Sequence, residues 1–151
     1  MKLVFILSVV SLFGWSLNQS NLTQAGSKSK SELIQNTASD ELKASIARGK
    51  LIYNETCVAC HLGNGEGVKG TFPPLAKADY LLKFPDKAIS AVKFGLKEKI
   101  VVNGVTYTMA MANPGLDNEE IADVMNYVFH SWGNKSPIGI ITPKKVESIK
   151  P

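Results

Sequence analysis

Residues 57–61 read Cys57-Val58-Ala59-Cys60-His61, and they hold the only two cysteines of the chain. Two thiols separated by two residues and followed directly by an imidazole have the spacing of covalent c-type haem attachment. Each thiol adds across one haem vinyl group. The two-residue gap puts both sulfurs on a single turn, at the separation the vinyls demand. His61 then lies under the porphyrin with a ring nitrogen for iron, and the rest of the chain is a housing for that group.

Other uses of two cysteines fit less well. A structural zinc ion wants four ligands. Here Cys57, Cys60 and His61 supply three, adjacent Cys60 and His61 would hardly face one small tetrahedral ion together, and the only other histidine is His130. A thioredoxin-like pair belongs after a strand in a βαβ context, and no strand signal precedes Cys57. A disulfide across two residues closes almost no loop and stabilises little.

The 151 residues suffice for one domain. Met1-Lys2 followed by the apolar run 3–17 has the form of an export signal. The run is short for a membrane span, which needs roughly 20 apolar residues. No clear small-x-small cleavage site follows it; Thr23-Gln24-Ala25 is the best candidate. Both a cleaved signal and an uncleaved anchor therefore stand, placing the protein in the periplasm or tethered to the outer side of the membrane. Export suits the chemistry, because haem is normally attached to thiols outside the cytoplasm. Residues 18–38 are rich in Ser, Asn, Gln and Lys and read as a flexible polar linker.

The net charge of +4 does not point to nucleic acid, since no arginine stripe or aromatic-basic interleaving is present. Lys77, Lys83, Lys87, Lys93, Lys97 and Lys99 crowd one segment. They make either a solvated face or a docking patch for an acidic partner.

Hydrophobic periodicity predicts a helix over 40–54 with Ser39 or Asp40 as its cap, and with Leu42, Ile46, Gly49 and Tyr53 on its buried stripe. A mid-helix glycine costs about 1 kcal/mol against alanine. Close approach of another helix is the usual reason to keep one. The last major helix is predicted over 118–132, with Asp117 and Glu120 as a capping box and Ile121, Val124, Val128 and Trp132 on one face. Gly133 would end it in a left-handed turn. This face should cross the first helix at Gly49.

The middle is less regular. Gly63, Gly65, Gly67 and Gly70 punctuate the loop after His61 without the lysine and strand of a phosphate loop. Phe72-Pro73-Pro74-Leu75 is rigid and apolar. Residues 86–94 have helical character with Asp86 as a cap. Residues 101–107 allow a short strand or extended loop turning at Asn103-Gly104. Thr142-Pro143 reads as a cap and first-turn proline, with a short helix to about Ile149 in a C-terminal extension over 135–151.

Iron held by His61 needs a second axial donor or an open site. A methionine thioether is soft and uncharged and favours ferrous iron. Met109 and Met111 fall in an irregular stretch before the last helix, where a loop can fold over the far face of the ring. Met125 falls within that helix, and His130 near its end suits capping. Core filling is the alternative for both loop methionines.

At this point the chain resembles the class I cytochromes c, small monohaem electron carriers, over about 39–133. Arg48-Gly49-Lys50-Leu51-Ile52-Tyr53 leading into 57–61 is similar to that family's first helix and haem site. Phe72-Pro73-Pro74-Leu75 is similar to its proline segment, whose backbone carbonyl bonds the axial histidine, and Pro73 fits the Pro-x-Leu form. Residues 102–107, Met111 and 116–122 resemble the methionine loop and last helix. The family often places the ligand four residues after the tyrosine, which selects Met111 over Met109, although Ala112 stands where the family usually has proline. Ser131-Trp132-Gly133-Asn134 is similar to cytochrome c units found with bacterial terminal reductases and oxidases, some fused to copper nitrite reductases.

The resemblance implies an all-α fold, with N- and C-terminal helices crossing around one covalently bound haem c in a domain over 39–134. It implies Cys57, Cys60, His61, Pro73 and Met111 as haem-binding residues, with His61 and Met111 on the iron. It implies one-electron transfer between redox proteins, a donor and an acceptor, rather than catalysis. The alternatives are a haem enzyme subunit with an open sixth site, for peroxide or small-gas chemistry, and the electron-entry subunit of a nitrite reductase or terminal oxidase.

Overall fold

The computed structural model describes residues 22–151, with side chains at Gln35 and from Thr37 onward. The apolar run 3–17, read as signal or anchor, lies outside the described residues. The chain divides into compact units over 1–36 and 37–151, and of the first only the helical backbone from Leu22 is described. Among the described residues, no helix is long and apolar enough to cross a membrane.

Helix α1 runs Leu22–Thr56, starting far upstream of the predicted cap. Residues 22–38, read as a flexible linker, are helical backbone, so neither Ser39 nor Asp40 begins a helix. The reason is local. No proline and a single glycine, Gly26, interrupt the stretch, and nine of its seventeen residues are Leu, Gln, Ala, Lys or Glu. Such residues lose little freedom in a helix, with or without a buried face.

The remaining elements all belong to 37–151 and follow in chain order: α2 (Val58–His61), α3 (Asp79–Lys83), α4 (Pro85–Phe94), β1 (Ile100–Val102), β2 (Val105–Tyr107), α5 (Asn118–His130) and α6 (Pro143–Ser148). The fold is mostly helical, with one antiparallel hairpin. Asn103 and Gly104 turn it at φ 49° and 77°, the mirror-image turn that matches strand twist. Helix α4 starts at Pro85 rather than after Asp86. Proline is preset for the first helical position, and Asp86 instead pairs with Lys145 at 2.8 Å.

Helix α5 opens on the capping box read from the sequence. Asp117 accepts from the Glu119 and Glu120 amides at 2.8 and 2.9 Å, and Glu120 accepts from the Asp117 amide at 3.0 Å. It ends at His130, two residues earlier than predicted. Trp132 and Gly133 both take positive φ, 53° and 84°. Trp132 thereby leaves the helix and packs on Tyr53 and Tyr127, with ring centroids 5.2 and 5.4 Å away.

Helices α1 and α5 meet backbone to backbone at Gly49, whose missing Cβ would stand 1.9 Å from the Asp123 carbonyl oxygen. One turn back, the buried Ser45 hydroxyl donates to the Asp123 carboxylate at 2.7 Å, and Arg48 donates to the same carboxylate through Nε and Nη2. That carboxylate raises the arginine pKa further, by hydrogen bonding first and by its charge second. Buried Asn126 donates to Ser45 Oγ and to the Ile141 carbonyl at 2.8 Å, and accepts from the Ile141 amide. The crossing is therefore backbone against backbone at its centre and hydrogen-bonded along its side.

The same asparagine recruits the C-terminus. Residues 135–151, read as an extension, supply Ile141, Val146 and Ile149 to the buried core beside Tyr53, Ile89, Ile121, Val124 and Phe129. Thr142 caps α6 by accepting from the Lys145 amide at 3.2 Å. The compact unit accordingly reaches Pro151 and does not stop at Asn134.

The lysine-rich segment is spread over several tasks. Lys83 pairs with Asp79 at 3.1 Å, Lys87 lies 5.4 Å from the Phe84 ring centroid, and Lys93 bonds backbone carbonyls of the C-terminal segment. Asp79 also accepts from the Asn103 amide while Asn103 accepts from the Asp79 amide, which latches the hairpin turn to α3. The Asn103 bond, then Lys83, holds the Asp79 carboxyl below its ordinary value. Stability from this latch is present above the unfolded carboxylate pKa, about 3.9, and is lost as pH falls through the lower folded value. Asp79→Asn should thus flatten the acid limb of the stability profile in thermal melts. An unchanged acid limb would show that the latch contributes nothing.

Candidate haem site

Helix α1 ends at Thr56, and the chain turns at once into the single turn α2. Cys57 is its N-terminal flank, and the His61 amide bonds back to the Cys57 carbonyl at 3.0 Å. Both cysteines are free and half-buried. Burial pushes the Cys57 thiol above its usual pKa, a hydrogen bond with Thr56 opposes this, and Cys60 adds to it.

His61 is 8% exposed. Its Nδ1 lies 3.0 Å from the Pro73 carbonyl oxygen, which fixes the tautomer: Nδ1 donates and Nε2 keeps its lone pair. Burial lowers the imidazole pKa and outweighs the opposing Pro73 bond, so the ring is neutral.

The glycine-rich loop explains how Pro73 reaches that ring. Gly67 has φ +60°, and its absent Cβ would fall 2.4 Å from the Phe72 carbonyl oxygen and 2.6 Å from that of Pro73. Only glycine allows the loop to lie so close. The Gly67 amide bonds the His61 carbonyl at 3.0 Å, and Gly65 accepts from the amides of Leu75 and Ala76. On the other side of the turn, the Tyr53 hydroxyl donates to the Leu62 carbonyl at 2.7 Å.

Cys57 and His61 face a cleft of about 700 Å³, counting its open side. Its walls are Pro73, Pro74 and Leu75 from the proline segment, Ala88, Ala91 and Val92 from α4, Ile100 and Val102 from the hairpin, and Val124, Met125 and Val128 from α5. Met111 also lines it. Cys60 shares the turn without lining the cleft.

The methionines separate clearly. Met109 is 55% exposed and does not line the cleft. Met111 is half-buried, and its amide and carbonyl pair with those of Leu96 at 2.8 and 2.9 Å. Met125, set aside in the sequence as a helix residue, is a buried wall of the cleft. His130 is exposed, and its Nδ1 bonds the Asn126 carbonyl one turn back.

Asn126 carries no motif in the sequence, and Asn134 enters there only as the end of Ser131-Trp132-Gly133-Asn134. Asn134 is buried and bonds Leu75, Lys77 and Val128, joining the end of α5 to the chain after Pro74. The available signal for Asn126 was an amide in the otherwise apolar run Val124-Met125-Asn126-Tyr127-Val128-Phe129. A buried polar group must find partners.

The donor set suits haem: two thiols, a neutral imidazole with a free Nε2, a thioether and apolar walls. Among the described residues, no three His, Cys, Asp or Glu side chains gather as a metal site, which leaves the zinc alternative without support.

Residues 46–132 match the sequence profile of the cytochrome c family. The chain is 36% identical over 109 residues to cytochrome c-552 of Thermus thermophilus, an alignment covering 69% of this chain and 82% of that protein. It is 31% identical over 107 residues to the cytochrome c subunit of a quinone alcohol dehydrogenase of Gluconobacter oxydans, covering 68% of this chain but 22% of that subunit. It is 30% identical over 106 residues to the cbb3-type cytochrome c oxidase subunit FixP of Bradyrhizobium diazoefficiens, covering 69% of this chain and 34% of FixP. The chain belongs to the cytochrome c family, as a class I haem electron carrier with covalently bound haem c rather than an enzyme in its own right.

Proposed function

We propose that Cys57 and Cys60 bind the haem, that His61 and Met111 are its axial ligands, and that the protein passes single electrons between redox proteins outside the cytoplasm. When bound, haem supplies the one-electron couple. The observation that supports this best is that His61, with Nδ1 held by the Pro73 carbonyl at 3.0 Å, and Met111, with its backbone paired to Leu96, line one apolar cleft. His61 keeps Nε2 as a neutral donor, and Pro73 fixes the ring's orientation. Met111 offers a soft donor that favours the ferrous state. Both donors sit on braced backbone, so little need move when an electron arrives or leaves.

The apolar walls of the cleft exclude water and raise the cost of extra positive charge, which acts in the same direction as the thioether. Relatives named as subunits of an alcohol dehydrogenase and of a terminal oxidase support partners within oxidoreductase complexes. Docking to them is brief and uses a small surface. The N-terminal apolar run supports export, as a cleaved signal or an outer-face anchor.

Met111→Ala should abolish the methionine-to-ferric-iron charge-transfer band, and Met109→Ala should leave it intact. Loss of the band in Met109→Ala alone would transfer the ligand role to that residue. Rapid carbon monoxide binding by the native ferrous protein would favour an open sixth site.

A further inference from the structure

Lys93 stands in the last turn of α4 and makes bonds in two directions. Its ammonium donates to the carbonyl oxygens of Val146, Glu147 and Ile149 at 2.8, 3.3 and 3.3 Å, at the end of α6. Its own carbonyl accepts from Asn113 Nδ2 at 3.0 Å. Asn113 stands two residues after Met111, and its Oδ1 closes the local turn by accepting from the Gly115 amide at 2.7 Å. Next to this contact is the two-way Leu96–Met111 pairing. There Gly95, at φ +82°, leaves room for the Met111 carbonyl oxygen, which a Cβ would meet at 2.9 Å.

The other end of the connection is firm. Val146 is fully buried, and Ile141 exchanges two hydrogen bonds with buried Asn126. This C-terminal segment lies beyond residues 46–132, the part that matches the family. An ordinary surface lysine extends its ammonium into water. Lys93 gives its protons to backbone oxygens at a helix C-terminus, where the dipole favours a cation.

We propose that Lys93 is a positioning residue for Met111: it ties the methionine loop, through Asn113, to the buried C-terminal segment. The inference rests on Met111 being the sixth ligand. Displacing a thioether by an added ligand requires the loop to swing away from the cleft. Every bond that holds the loop lowers the population of that open state, and the apparent affinity for the added ligand falls by the same factor.

The test is imidazole titration of the ferric holoprotein, read by loss of the methionine charge-transfer band. Lys93→Met removes the donors and keeps the stem. It should tighten imidazole binding about tenfold, the scale of one hydrogen bond to a charged group. Lys93→Arg should restore native affinity. Asn113→Ala, at an exposed position, cuts the other side of the link and should act in the same direction. Ser45→Ala, at the helix crossing, should lower the melting temperature without altering imidazole affinity.

If Lys93→Met and Asn113→Ala both bind imidazole as the native protein does while Met111→Ala lacks the band, the positioning role is overturned and the ligand assignment stands. If Met111→Ala retains the band, both fall. Should Lys93→Met not fold, Lys93→Gln, whose shorter amide falls short of the C-terminal carbonyls, takes its place with the same expected outcome.

Discussion

A protein carrying Cys57→Ala and Cys60→Ala together should leave acid-acetone extraction colourless, with the mass of polypeptide alone. If His61 holds the iron as proposed, acid would protonate it and release that bond, leaving only thioether bonds to retain the porphyrin. The native protein should keep its colour, and each single substitution should keep haem on one remaining thioether. The effect on the fold should also be large. The cleft is walled by apolar side chains of α4, α5, the hairpin and the proline segment. Emptying an apolar cavity costs roughly 24 cal/mol per Å³ when the walls cannot collapse. The extracted double mutant should therefore melt far below the native protein and bind hydrophobic dyes. Haem still attached after extraction of that mutant would end the thioether assignment.

The sequence marks a candidate haem turn because the chemistry proposed for it is local. Two thiols and an imidazole must share one turn, and the structure puts Cys57, Cys60 and His61 on one. The Asp117 box, the Asn103-Gly104 turn and the Thr142-Pro143 cap were readable for the same reason, since each depends on residues within a few positions. Other features depended on distant partners. Nothing near Asn126 in sequence names Ser45 and Ile141 as its partners, so the C-terminal segment read as an extension when it is part of the core.

Composition also misled where propensity and polarity disagreed. Residues 22–38 are polar enough for a linker, yet lack the proline and repeated glycine that would stop α1 from running through them. Met125 was set aside as a residue of the last helix. Its helix packs edge-on to the cleft, and three of its residues form a wall. The choice between Met109 and Met111 came from a family resemblance. The structure adds a physical difference between them: one side chain is mostly in solvent, and the other lines the cleft on a backbone paired to Leu96.

Gly49→Ala should be strongly damaging although it adds a single methyl group. Away from contacts, alanine would stabilise a helix by about 1 kcal/mol over glycine. Here the new Cβ would stand 1.9 Å from the Asp123 carbonyl oxygen, 2.4 Å from its carbon and 2.9 Å from the Val124 nitrogen. These are backbone atoms of α5, so no side chain can rotate out of the way. The helices must move apart. That shift stretches the Ser45–Asp123 and Ser45–Asn126 bonds one turn away and loosens fully buried Tyr53 one turn on. Overpacking costs of 1–3 kcal/mol and more, added to weakened buried hydrogen bonds, exceed the propensity gain. The expected net loss is about 3 kcal/mol, a fall of roughly 10 °C in melting temperature for a unit of this size. Gly63→Ala is the matched control, because a Cβ there meets nothing within 4 Å. A Gly49→Ala protein that melts with the native one would mean that the two helices do not approach as closely as their backbones indicate, and the housing of the haem would need another account.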